Sequence, residues 1–146
     1  MKLLLSTFSM LLGGIIYIAF REESLRMFEW FEEIGVTPVI HAFRSSLAPL
    51  HEYIPYIMIY SLPNALWYLS GMLAFSELWK KGNGKWFWVC VVSIIAFGAE
   101  FGQAFKLIEG AFSIPDVILM VGSLCLFFTL ESLLRERENN EEKECT

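Results

Sequence analysis

The chain has 146 residues, 55% of them hydrophobic and only 18% charged, with a mean hydropathy of +0.51 and a formal charge of −5. A soluble domain carries about a quarter charged residues, so a separate water-soluble domain is excluded and one compact membrane bundle is expected. The negative charge comes from the first loop and the tail, no basic stripe exists, and no nucleic-acid partner is expected.

Residues 3–20, after Lys2, form an apolar run longer than the ~7–15 residues of a signal-peptide core, with no Ala-x-Ala-like site behind it. The run reads as an uncleaved first spanning helix closed by Arg21, and Gly13-Gly14 within it permits close approach by a neighbour. Residues 21–53 are the longest polar connection. Within it, 24–34 is amphipathic: Met27, Phe28, Trp30, Phe31 and Ile34 are interleaved with Glu29, Glu32 and Glu33, and Gly35 offers a stop. Thr37-Pro38 opens another short helix carrying His41 and Arg44, which with His51 read as lone, solvent-facing residues. These pieces are expected to lie along the membrane surface or over the bundle.

The second spanning helix is about residues 56–79, ended by Lys80-Lys81-Gly82-Asn83-Gly84-Lys85, a tight turn between antiparallel helices. The third runs 86–108 and the fourth about 114–134, with Tyr53, Tyr56, Trp79, Trp86 and Trp88 placed as interfacial aromatics. Residues 1–134 are thus expected to make a single domain, and 135–146 a charged tail that frays after a short helical extension. The fold class is all-α: an integral four-transmembrane-helix bundle with a short amphipathic helical segment in the first extracytoplasmic loop. Lys2, Lys80, Lys81, Lys85, Arg135, Arg137 and Lys143 fall on one side, against Arg21, Arg26, Arg44 and Lys106 on the other, which puts both termini in the cytoplasm. Cys90 and Cys125 read as small buried hydrophobes and Cys145 lies in the tail, a scatter that fits neither a disulfide framework nor a metal site.

The chemistry concentrates between Trp86 and Leu130. Glu100 and Gln103 share one helix face, and a carboxylate inside a spanning helix is costly enough to mark a functional site. Gly98 and Gly102 form a Gly-x-x-x-Gly pair on the opposite side, a surface for a partner helix or a second copy. Helix three is therefore expected to be central. At 1.5 Å per residue, Glu100 lies ~12 Å and Gln103 ~7 Å from the outer end of helix three, and Asn64 ~12 Å from that of helix two. Asp116 opens helix four on the same side, where Ser113-Ile-Pro-Asp116 also reads as a capping box. Pro63 frees the carbonyl of Ile59, and a kink there would open a groove beside Asn64, Tyr60, Trp67 and Tyr68. The candidate cations for Glu100 are Arg44, folded over from the loop, Lys106, or a charged ligand headgroup.

The run Glu100-Phe-Gly-Gln103, then Gly110-Ala-Phe112, Asp116 and Gly122, with Pro63-Asn64-Ala-Leu-Trp67 before it, resembles the VanZ-like family over about residues 60–125. Unlike many members, this chain has no arginine between the glutamine and the aspartate, and Met120 stands where an asparagine follows the aspartate. These are small bacterial multi-helix proteins of the cytoplasmic membrane. The resemblance implies a cell-envelope protein, with some relatives linked to resistance to teicoplanin-type glycopeptides.

The function expected is binding of a lipid-linked or amphiphilic envelope component by Asn64, Tyr60, Tyr68, Glu100, Gln103 and Asp116 in the outer half of the bundle. No cofactor, metal or catalytic residue is assigned. The alternatives are an intramembrane hydrolase working through Glu100 and Asp116, which lacks the usual nucleophile motifs, and a transporter subunit, for which no internal repeat is visible.

Overall fold

The computed structural model describes residues 1–23, 26–80 and 84–144, beyond Leu134 chiefly by its backbone. Among them all regular structure is helical: α1 (Lys2–Phe20), α2 (Arg26–Glu33), α3 (Thr37–Leu47) with a 3-10 turn (Ala48–Leu50), α4 (Tyr56–Tyr60), α5 (Leu62–Leu78), α6 (Gly84–Ala104) and α7 (Ile114–Glu144). Three stretches, Lys2–Phe20, Gly84–Ala104 and Ile114–Leu134, are long and apolar enough to cross a membrane. The radial distribution agrees. Leu4 is 76% exposed, Phe8 64% and Ile94 71%, while Ser6, Ser9, Ser70, Ser76 and Ser123 are buried. Small and hydroxylated residues at helix contacts, with large apolar ones facing out, are the pattern of helices packed in hydrocarbon.

Helix α5, not helix three of the sequence reading, is the centre of the bundle: α1, α6 and α7 all pack on it. Its Tyr68, Leu69, Met72 and Leu73 form the core with Val89, Met120 and Phe127. Each neighbour is also clasped by a hydrogen bond. Ser6 Oγ donates to the Ser70 carbonyl at 2.9 Å, Tyr68 Oη meets Ser93 Oγ at 2.7 Å, and Ser123 Oγ donates to the Ala65 carbonyl at 3.0 Å. The Gly-x-x-x-Gly face of α6 has no such neighbour in the chain. Among the described residues, a Cβ on Gly98 would meet nothing within 4 Å, and one on Gly102 would meet the side chain of Ile108 from the following link first, at 2.7 Å.

The expected second helix is divided. The interruption is at Ser61, which keeps right-handed helical torsions with φ stretched to −104°, and Pro63 lies in the first turn of α5, where its missing N–H costs little. Helix α6 ends at Ala104, four residues before the expected Ile108, because Lys106 takes a positive φ of 57° and the Leu107 N–H bonds back to the Gly102 carbonyl. Helix α7 continues to Glu144, well past the expected boundary at 134. Gly35, with φ 74°, ends the amphipathic segment as expected. Cys90 and Cys125 are exposed, not buried. Ser24, the Lys81-Gly82-Asn83 part of the expected tight turn, and Cys145 lie outside the described residues.

At one end of the bundle Glu131 of α7 takes two lysines, Lys85 Nζ at 2.6 Å and Lys2 Nζ at 2.9 Å, all three side chains about nine-tenths buried. The Lys2 contact is an ion pair without hydrogen-bond geometry.

Two tests follow from this packing. A Cβ on Gly13 would stand 2.8 Å from Trp67 Nε1 and 3.2 Å from the Pro63 carbonyl, whereas one on Gly14 would meet nothing. Thermal unfolding in detergent should therefore show Gly13→Ala destabilised by about 1–3 kcal/mol through overpacking, and Gly14→Ala within about 0.5 kcal/mol of the parent. Replacing Glu131 with leucine strands two buried ammonium groups. The cost should be about 3 kcal/mol, the low end for a broken buried pair because lysines reach toward polar surroundings.

Candidate functional site

Asn64, Trp67 and Tyr68 recur at i, i+3 and i+4 and so share one face of α5. Opposite them, Val92, Ile95, Ala96, Ala99 and Gln103 follow the same periodicity along α6, with Glu100 beside them. These two rows, with Met120 of α7, line a groove of about 390 Å³. The small side chains of Ala96 and Ala99 leave the room. The Tyr68–Ser93 hydrogen bond and the edge-to-face contact of Tyr68 with Phe97, at 5.8 Å between centroids, fix the α5 wall against α6.

The polar end of the groove is built by three helices. Asn64 Nδ2 donates to Asp116 Oδ2 at 3.0 Å, joining α5 to α7. The Glu100 carboxyl lies close to the Asp116 carboxyl. Glu100 is 6% exposed and Asp116 7%. Glu100 Oε2 and Asp116 Oδ1 are both buried with no hydrogen-bond partner. Because α6 ends early, Glu100 is only ~6 Å along the axis from the helix terminus, half the depth expected from sequence.

The expected capping box is not formed by side chains. The Ser113 carbonyl receives the Asp116 and Val117 N–H groups, while the Asp116 carboxyl turns to Asn64 and Glu100. Gln103 lines the groove, yet no hydrogen bond among the described residues joins it to Glu100. Its amide folds instead over Gly110, where a Cβ would stand 2.6 Å from Nε2 and where φ is 136°. Asn64, Tyr68, Trp67, Glu100, Gln103 and Asp116 therefore come together.

Tyr60 does not join them. It stacks on Tyr56 at 4.0 Å and receives the Arg21 guanidinium at 4.9 Å on the other side of the bundle. There it borders a second cavity of about 600 Å³ with Arg21, Glu23, His41, Arg44 and His51. Arg44 is not a lone surface residue: it pairs with Glu23 at 3.1 Å and donates to the Ile18 carbonyl at 2.6 Å, satisfying the end of α1. His41 shares Glu23 at 3.5 Å. Neither Arg44 nor Lys106 reaches Glu100, and no ion pair among the described residues involves Glu100 or Asp116.

No family model, curated protein or solved structure matches the chain. The site is therefore read from its own geometry. Sequence reasoning missed Glu131, although it is a carboxylate in an apolar run and the rule that picked out Glu100 applies to it equally.

The Asn64–Asp116 contact should show in a double-mutant cycle. Unfolding of Asn64→Ala, Asp116→Ala and the double variant should give a coupling of about 0.6 kcal/mol and at most about 1.7, the range of interhelical hydrogen bonds in membranes.

Proposed function

We propose that this chain is a four-span membrane protein that holds the polar end of an amphiphile in the α5–α6 groove. The fourth crossing is α4 with α5, which together run from Tyr56 to Leu78 and cover ~34 Å at 1.5 Å per residue, enough for a hydrocarbon core of about 30 Å. On the lysine and arginine distribution, the end carrying Lys2 and Lys85 faces the cytoplasm and the Glu100–Asp116 end faces outward. The observation that carries the binding role is the orphaned carboxyl oxygen of Glu100 at the head of a groove lined mainly by apolar side chains, with the Asp116 carboxyl behind it. A buried polar atom without a partner costs on the order of 1–3 kcal/mol, and a ligand head group with donors recovers it. The VanZ-like resemblance of residues 60–125 adds a cell-envelope setting, with an envelope lipid or lipid-linked compound as ligand, and rests on those sequence motifs alone. The α6 face around Gly98 suits a second copy or a partner helix on the same reading.

A second reading has one observation in its favour. Two carboxyls in contact are the arrangement by which some hydrolases activate water, and metal-independent cleavage of a lipid ester by purified protein, lost in both Glu100→Gln and Asp116→Asn, would replace the binding role.

Native mass spectrometry of the protein purified in mild detergent tests the binding role. The parent should retain one amphiphile per chain. Ala99→Trp, which fills the groove, and Glu100→Ala, which removes its head, should both lose it while remaining folded. Retention by Ala99→Trp overturns the assignment of the groove.

A further inference from the structure

The head of the groove carries acid without base. Glu100 and Asp116 are each more than nine-tenths buried, their carboxyls face one another, and each keeps one oxygen without a partner. The side-chain donor that serves the pair is neutral: the Asn64 amide on Asp116. Every ion pair among the described residues lies elsewhere, with Arg44 committed to Glu23 and the lysines Lys2 and Lys85 to Glu131 at the other end of the bundle. Even with one proton held between the two carboxyls, one negative charge stays in the interior, where an unpaired charge is expensive.

From this arrangement we infer that the groove selects amphiphiles with a singly charged alkylammonium head, the ammonium seated on Glu100 with Asp116 behind it and the chain lying along Ile95, Ala96 and Ala99. The inference rests on the amphiphile-binding reading and specifies its ligand. An ammonium brings one positive charge and up to three N–H donors, which suit the orphaned Glu100 oxygen and the Gln103 carbonyl, the two acceptors beside each other on the groove wall. The rings of Trp67 and Tyr68 border the same space, and aromatic faces attract ammonium groups. A bare divalent ion fits less well. Hard cations take six or more oxygens, whereas no group of three His, Cys, Asp or Glu able to hold a metal occurs among the described residues. The groove of about 390 Å³ also has far more room than an ion uses. An anionic head would face two carboxyls with no basic side chain to receive it.

The test compares three amphiphiles of one chain length on the full chain in phosphatidylcholine nanodiscs: dodecylamine, dodecanol and dodecyl sulfate at equal, low mole fraction. The readout is the midpoint of thermal unfolding for the parent, Glu100→Gln and Asp116→Asn. Dodecylamine should raise the parent midpoint several degrees more than dodecanol does, dodecyl sulfate should give the smallest shift, and the advantage of the amine should vanish in either variant. Equal shifts from amine and alcohol in the parent overturn the charge selection and leave the amphiphile groove standing. An amine advantage that survives in both variants overturns it as well, since the effect then arises outside the pair. No shift from any of the three compounds overturns the groove reading itself. Should Glu100→Gln fail to fold, Asp116→Asn carries the comparison alone.

Discussion

Three helices lean on α5, and close helix contact in an apolar surrounding requires small side chains and satisfied hydroxyls at the seams. Ser70, Ala65 and Tyr68 occupy those seams: the Ser70 and Ala65 carbonyls accept from Ser6 of α1 and Ser123 of α7, and Tyr68 donates to Ser93 of α6, whose own hydroxyl proton goes to the Val89 carbonyl. Hydrophobic burial has little to offer between helices when the surroundings are as apolar as leucine. These clasps, with the interlock of Gly13 and Trp67, therefore decide which helix is central. Everything placed around α5, including the groove, inherits its position from that choice.

Helix α6 is held near both of its ends. Lys85 and the Trp86–Phe128 ring contact, 6.0 Å between centroids, fix its first turn to α7, and Glu100 meets Asp116 one turn from its last residue. Between these points its wall consists of Ile95, Ala96 and Ala99, side chains too small or too far outward to fill the space beside Trp67. The groove is a product of where α6 is tethered. A larger cavity near α1 and α3 has the opposite character: its acidic Glu23 is already shared by Arg44 and His41, so its charges answer one another.

The helices themselves were legible because each apolar run is long and nearly free of charge, and the convergence of Asn64, Glu100, Gln103 and Asp116 followed from their distances to the predicted helix ends. The same approach misplaced details that depend on backbone turns or on neighbours. The end of α6 is set by the positive φ of Lys106, which composition does not announce. The two polar and small-residue faces of helix three point to a central place, but Gly98 meets no other described part of the chain while the hydroxyls that seat α5 are ordinary serines. The capping box was a sound local pattern overruled by tertiary contacts, since the Asp116 carboxyl finds Asn64 on another helix. Tyr60 shared a predicted kink with Asn64, yet the break at Ser61 turns it to the far side, against Arg21.

The ionic cluster at the other end of the bundle has a consequence for how the molecule is assembled. Its three members belong to α1, α6 and α7, so the partner of Lys2 is made only when more than half of α7 has been synthesised. Throughout synthesis Lys2, and later Lys85, carry charges that no carboxylate in this cluster yet balances, which holds the ends of their helices at a polar boundary. Arrival of Glu131 removes that restraint and draws the three ends together. The cluster thus ties α1 and α6 to α7 only after all three helices have been made, α7 at least as far as Glu131.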